Sequence, residues 1–473
     1  MCYYFCMYRL FAFSSFAAFV IGVSAAITQL VLLREFLGVF AGIEIIIGII
    51  LGTWLILTAC GSLFAQILAK GREPFSWLSR GLVASPLIGP LGLLGIRTIR
   101  SAHTSGLVFS ISEAMFYSVL VLLPYCLLAG LLLALCARTA ALEQSAGTAS
   151  QVYIADTVGS TVGGLAYGFL LVHIVNPFAV LAIPAILCLA ASAVISHDKG
   201  GNKSSLPPVT KEFCIAGIIL AALLPLADQP SLRLLYPHHE IIRRQSTPHG
   251  QYVLVQESAG QFTVFHDGTP AGTTTDAAAG EEIVHFAMTQ HKQPKHVMLL
   301  GGSLTGAGSE ILKYPAAEVD AVESDPAVFV LARLLSRPQT NRLREHAVDP
   351  RRFIQQSADR FDVILLAFNG PTNAQMNRFY TVEFFRDAKR ALRENGVISL
   401  GLSGSENYTQ PELQLFASSI YRSLCSVFKN CAVIPGARFT MLASDAALTT
   451  EIGQELENRG ISTAYINDDY LTA

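Results

Sequence analysis

The sequence predicts a polytopic α-helical membrane domain followed by an α/β Rossmann-like domain with a small N-terminal β-subdomain. Three observations predict it. Residues 1–228 hold 20 of the 68 charged side chains and residues 229–473 hold the other 48. The first part is made of long apolar runs. The second alternates short apolar strands with helical stretches. A boundary near Asp228 is therefore expected between lipid and water.

A helix that crosses the hydrocarbon needs about 20 apolar residues. The runs that qualify are 10–33, 41–69, 81–96, 108–137, 152–174, 177–195 and 213–227. The first is too long for the core of a signal peptide and is followed by further runs, so it reads as a span. The run 81–96 is short and carries Pro86 and Pro90; 213–227 is short and carries Pro225. Six or seven helices follow. With seven spans and the C-terminal domain inside, the outer loops hold Lys70, Arg72, Arg80, Arg138, Lys199, Lys203 and Lys211, which is the wrong bias. A re-entrant 81–96 improves it. Glu44, Glu113 and Asp156 are acids in or beside apolar runs, where acids are costly unless they reach an interface or serve a function. Gly48-x-x-x-Gly52 and Gly159-x-x-x-Gly163 are small-residue faces that permit close helix contact.

Residues 229–275 read as a linker and the β-subdomain, with strands near Tyr252–Val255 and Gln261–Phe265. Residues 276–445 read as the Rossmann domain. A helix is expected over 277–290. The apolar strand His296–Leu300 then runs into Gly301-Gly302-Ser303-Leu304-Thr305-Gly306, a short helix, and a second strand ending at Glu323-Ser324-Asp325. Glycines let a backbone approach a ligand closely, and an acid about 20 residues on is placed to accept from ribose hydroxyls. The alternation continues with a strand at 361–366, a helix at 380–394, a strand at 396–400, a helix at 411–427 and strands at 431–434 and 438–442. Ligands bind at the carboxyl ends of such strands. The loops 301–306, 323–325, 349–353 and 367–376 are the expected site, and 446–473 is a C-terminal extension.

The soluble half is slightly acidic and has no basic stripe, which argues against nucleic acid. The cysteines have no metal or disulfide-framework spacing. Cys425 and Cys431 in particular have neither CxxC nor zinc spacing, so a reducing compartment and no metal are expected.

These residues resemble the spermidine synthase (polyamine aminopropyltransferase) family, and in particular its bacterial members fused to a membrane domain. The resemblance rests on Lys295–Glu310, Val322–Pro326, Asn373-Ala374-Gln375-x-Asn377-Arg378-Phe379-Tyr380 and Ser405-Glu406-Asn407-Tyr408. In the first half it rests on Gln29-x4-Arg34-Glu35, Gly42-Ile43-Glu44 and Asp156-x2-Gly159-Ser160-x2-Gly163-Gly164. It implies a methyltransferase-type Rossmann domain in an integral inner-membrane protein, with that domain in the cytoplasm. The implied reaction transfers an aminopropyl group from decarboxylated S-adenosylmethionine, or uses S-adenosylmethionine itself, as co-substrate with no tightly bound cofactor. The implied acceptor is an amine such as putrescine, so the expected partners are the bilayer, a nucleoside and a polyamine; self-association is left open.

The resemblance assigns Gly301, Gly302, Ser303, Gly306, Glu323, Ser324 and Asp349 to the donor nucleoside, with Asp349 meeting the adenine amino group. It assigns Gln251, Leu304, Ala367 and Tyr380 to the substrate pocket. The chain departs from the family where it matters for amine chemistry. The glycine-loop Asp falls on Leu304, the proton-accepting Asp on Ala367 and a second Asp on Gly370. Asp276, Glu281, Glu282 and Glu406 are the acids that could substitute, and His285 could accept a proton near neutral pH. Two alternatives stay open: another S-adenosylmethionine-dependent transfer, and a nucleoside-sensing or transport-coupled membrane protein without catalysis.

Overall fold

A computed structural model describes residues 2–40, 43–68, 74–101, 109–141, 148–174, 176–197, 211–237, 239–257, 260–274, 277–335, 339–368, 370–404, 411–436, 438–467 and 470–471. The chain divides into two compact units. One comprises Met1–Tyr252 with Asp267–Thr269, the other Val253–His266 with Pro270–Ala473.

The first unit is built from α1 (Cys2–Val39), α2 (Glu44–Leu68), α3 (Pro74–Ser101), α4 (Ile111–Ala141), α5 (Thr148–Phe169), α6 (Pro177–His197), α7 (Lys211–Leu223) and α8 (Asp228–Leu235). Among the described residues six helical segments are long and apolar enough to cross a membrane: Phe13–Val39, Glu44–Ile67, Pro74–Ser101, Ile111–Ala141, Pro177–Ile195 and Ile215–Leu235. Two expectations change. The run 81–96 lies inside one continuous helix, because α3 continues for 28 residues through Pro86 and Pro90. Conversely α5, expected as a span over 152–174, is not among the six.

Small residues set the helix crossings. A Cβ on Gly159 would strike the Phe19 carbonyl, and one on Gly163 would crowd Val23, so α5 lies directly on α1. Gly61 and Gly130 do the same for α2 and α4. Gly48 and Gly52 meet nothing within 4 Å, so that pair makes no close contact among the described residues. Of the three acids, Glu44 opens α2 and Glu113 accepts from the Ser110 N–H at 2.8 Å at the start of α4. Only Asp156 sits away from the first turn of its helix, partly buried in the middle of α5.

Asp228, where charge density rises along the sequence, is buried in an ionic cluster. It is 4% exposed, and its carboxylate pairs with Arg97 at 2.9 Å and with Arg244 at 3.0 Å. Glu35 pairs with the same two arginines at 3.5 and 3.1 Å. This buried group of two acids and two guanidiniums ties α1, α3 and α8 to β1 (Glu240–Thr247). Arg34, the neighbour of Glu35, donates to the carbonyls of Val172 and Thr247. A buried charge survives only when paired, so four ionic residues at one place extend the first unit beyond the point where sequence charge rises.

Strands β1, β2 (Gly250–Gln256), β3 (Phe262–His266) and β4 (Thr269–Thr273) run in sequence order as one sheet. Strands β2 and β3 cover the two stretches expected as strands, Tyr252–Val255 and Gln261–Phe265.

The second unit continues with α9 (Ala277–Met288), β5 (His296–Leu300), α10 (Ala307–Leu312), β6 (Glu318–Glu323), α11 (Pro326–Leu334), β7 (Leu343–Ala347), α12 (Pro350–Gln355) and β8 (Phe361–Leu366). Then follow α13 (Ala374–Asn377), α14 (Val382–Ala391), β9 (Leu392–Ser403), α15 (Pro411–Cys425), β10 (Asn430–Ile434), β11 (Arg438–Ser444) and α16 (Ile452–Asn458). The sheet order is β10-β11-β9-β8-β5-β6-β7. Strands β9, β8, β5, β6 and β7 pair in parallel, and β11 runs antiparallel to both of its neighbours, β9 and β10. This is a methyltransferase-type Rossmann sheet. Its central strands are buried on both faces, as helices on both sides require. The strand order reverses between β5 and β8, which opens a crevice at their carboxyl ends.

Cys425 and Cys431 are paired, with Cα atoms 5.9 Å apart, because β10 turns back onto the end of α15. Spacing in sequence does not disclose that return, and the expectation of a reducing compartment loses the support it drew from unpaired cysteines.

Candidate functional site

The carboxyl ends of β5, β6 and β8 bring most of the expected donor residues together. Gly301 and Gly302 have φ of +72° and +76°, a region that side-chain-bearing residues enter at a cost. Space forbids a side chain as well: a Cβ on Gly301 would strike the Phe368 ring, and one on Gly302 the Ala367 methyl. The loop then turns so that the Ser303 N–H donates to Glu323 Oε1 at 3.0 Å. Gly306, also at positive φ, precedes α10.

Glu323 ends β6 and is 8% exposed. Burial pushes its carboxyl up to about 7, and the bond from Ser303 pulls the other way. Ser324 follows it, partly buried, and Asp325 caps α11 by accepting from the Ala327 N–H at 2.9 Å. The loop therefore presents a glycine backbone without side chains beside a buried acid.

Asp349 is already engaged. Its Oδ1 accepts from the N–H groups of Arg351 and Arg352 at 2.9 and 3.1 Å, capping α12, and its Oδ2 pairs with Arg378 at 2.6 Å. These bonds hold its carboxyl below the usual range despite burial pushing the other way. The Asn373 side chain caps α13 in turn. A sequence motif can mark a cap as readily as a ligand contact.

Two of the residues expected to line the substrate pocket are apolar and buried. Leu304 is 5% exposed and Ala367 6%. Leu304 packs where any Cβ on Gly272 would collide. Gly370 has φ of +111°. Tyr380 is buried with its hydroxyl unpartnered among the described residues, and burial pushes that phenol up to about 12. Gln251 belongs to the first unit, where its N–H donates to Asp267 at 2.9 Å.

Two of the proposed substitute acids are spoken for. Glu281 is 1% exposed and accepts from the N–H groups of Ala464, Tyr465 and Ile466 at 2.6, 2.9 and 3.1 Å. It anchors the C-terminal extension and cannot serve as a base. Glu282 accepts from the Tyr470 hydroxyl. Asp276 and Glu406, with the segment 405–408, lie outside the described residues. His285 is fully buried, with Nε2 at 2.9 Å from Glu310 and Nδ1 at 3.0 Å from the Tyr314 hydroxyl. Both ring nitrogens are occupied, so it packs α9 rather than accepting a substrate proton.

Sequence reasoning missed Arg438. It opens β11 opposite Ser403 of β9. Its guanidinium occupies the space over Gly401 and donates to the Phe368 carbonyl at 3.2 Å. The only signal was a glycine inside a buried strand, which often marks the close approach of another group.

Comparison with known proteins gives a consistent picture. Residues 277–444 match the spermine/spermidine synthase domain. The chain is 23% identical over 354 residues to a polyamine aminopropyltransferase of Oceanobacillus iheyensis, covering 68% of this chain and 65% of that protein. That stretch is too long to fit within residues 229–473, so the likeness reaches into the apolar helices. A polyamine aminopropyltransferase of Mycobacterium tuberculosis is 26% identical over 278 residues, covering 55% of this chain and 52% of its own length. Thus the chain spans less than two thirds of either relative. Among solved structures, the spermidine synthase from Thermotoga maritima aligns with a TM-score of 0.42 at 21% identity, over 49% of this chain and 83% of that one.

Proposed function

We propose, for a chain whose residues 277–444 belong to the spermine/spermidine synthase family, that the second unit binds an adenosyl sulfonium and transfers its three-carbon aminopropyl-type group to a nucleophile. The observation that carries this reading is the pairing of Gly301-Gly302-Ser303 with Glu323 across the ends of β5 and β6. Ribose hydroxyls donate to Glu323. The glycine backbone admits the nucleoside. Asp349 fixes the edge of the site by capping α12. Transfer is a displacement at the carbon next to sulfur: the nucleophile's lone pair forms the new bond, and the C–S pair leaves with the neutral thioether. An amine nucleophile must be neutral when it attacks, and holding it in line supplies much of the acceleration. The apolar helices, with side chains such as Leu55 70% and Ile56 66% exposed, anchor the unit to the cell membrane, with the second unit on the side where the donor is made.

The absence of an acid at Leu304, Ala367 and Gly370 favours a second reading, in which the acceptor differs from putrescine. Equilibrium binding of radiolabelled S-adenosylmethionine, its decarboxylated form and methylthioadenosine to the purified full chain tests the main one. Glu323→Ala should cost about 1.5–3 kcal/mol of nucleoside affinity, as for a hydrogen bond to a charged group. Unchanged affinity in a folded variant means that the glycine loop is only a packing turn.

A further inference from the structure

The acceptor side of the site carries a cation where a diamine site would carry acids. Because β11 runs antiparallel to β9, its first residue, Arg438, falls at the carboxyl edge of the sheet. Its Nη2 lies 3.2 Å from the Phe368 carbonyl and 3.5 Å from that of Leu366, the two residues flanking Ala367. Burial works against its charge; Tyr380 and Glu282 are the groups that support it. Glu282 also accepts from Tyr470. The Tyr380 hydroxyl is nine-tenths buried and has no hydrogen-bond partner among the described residues. A buried hydroxyl without a partner is uncommon and calls for one.

A guanidinium and a phenol are both donors. A diammonium ligand would place like charges together where water cannot screen them. A carboxylate matches the planar guanidinium fork and accepts from the phenol. We propose that the pocket beside Ala367 and Gly370 recognises a carboxylate through Arg438 and Tyr380, so that the chain selects an anionic amino-acid-type group in place of a polyamine. The group belongs either to the tail of the donor, as in S-adenosylmethionine before decarboxylation, or to the acceptor. This rests on the nucleoside reading of the Glu323 loop.

The test is competitive binding to the full chain in detergent. One arm compares S-adenosylhomocysteine with its decarboxylated counterpart. The other compares γ-aminobutyrate with putrescine in the presence of methylthioadenosine. A preference of about tenfold or more for the carboxylate is expected in one arm, and that arm identifies its source. Arg438→Gln should abolish the preference. Since that guanidinium also fills the space over Gly401, Tyr380→Phe is the safer variant: it removes only a hydroxyl that has no side-chain partner among the described residues and should cut the preference several-fold. Equal binding, preference for the amine, or a preference that survives in both folded variants overturns the inference. Failure of the wild type to bind methylthioadenosine overturns the nucleoside reading and this inference together, whereas methylthioadenosine binding without carboxylate preference overturns this inference alone.

Discussion

Nucleoside affinity should rise with pH through about 7, and the group responsible is Glu323. Its carboxyl is raised to about 7, chiefly by burial, with the Ser303 N–H opposing. Only the ionised form offers both oxygens to ribose hydroxyls. Affinity should therefore follow the ionised fraction: near its plateau above about pH 8, and about tenfold lower at pH ~6, or ~1.4 kcal/mol. Stability moves the opposite way. The folded-state pKa lies above the ordinary value of 4.5, so the fold favours the neutral acid. That contribution is complete below about 4.5 and is lost as pH rises through about 7, by at most ~3 kcal/mol. The assay is calorimetric titration of the full chain with methylthioadenosine from pH ~5.5 to ~8.5, paired with thermal melts, over the window those two pKa values define. Glu323→Gln should bind weakly and without this slope. A flat wild-type profile, or the same slope in the Gln variant, refutes the reasoning.

Three further outcomes are expected. Asp228→Asn leaves Arg97, which is 0% exposed, short of a charge partner, and should destabilise the first unit by about 3–5 kcal/mol; an unchanged melting temperature in detergent would remove the buried cluster from the account of its stability. Putrescine turnover should be feeble, since a methyl at Ala367 cannot take a proton and a general base contributes roughly 10²–10⁴-fold. Ala367→Asp alone, without Gly370→Asp, which the φ of +111° penalises, should raise turnover if the lost base is the only defect; no gain points to the altered charge of the pocket. A reporter fused after Ala473 should read cytoplasmic, and a signal from the far side of the membrane would leave the second unit without its donor.

The parts of the fold that were readable from sequence are those where one physical term dominates. His296–Leu300 and Phe361–Leu366 are buried on both faces, so unbroken apolar runs suffice to announce them. The order strand, glycine loop, helix, strand, acid placed Glu323 at the end of β6 beside the glycine loop, where Ser303 donates to it. Leu343–Ala347 was not readable: as an edge strand it is partly exposed along its length, and Leu-Arg-Glu-His-Ala carries no alternation. Glu240–Thr247 was not predicted as a strand either: it too is an edge strand, and Glu-Ile-Ile-Arg-Arg-Gln-Ser-Thr carries no alternation.

Roles that depend on partners distant in sequence were hidden more deeply. Asp228 looked like the first residue in water because charge density rises there, yet its charge is cancelled by Arg97 and Arg244 from other segments. Glu281 looked like a free acid until the C-terminal extension returned three N–H groups to it. Arg438 is the sharpest case. Counted along the chain it begins an ordinary strand. Only the reversal of β11 carries it to the edge where β5 and β8 end. Loss of acids at Ala367 and Gly370 reads, on sequence alone, as loss of function. On the carboxylate reading proposed above, the guanidinium held against the carbonyls on either side of Ala367 turns the same loss into a change of sign in the pocket. A change of sign selects a different ligand, whereas a mere deletion selects none.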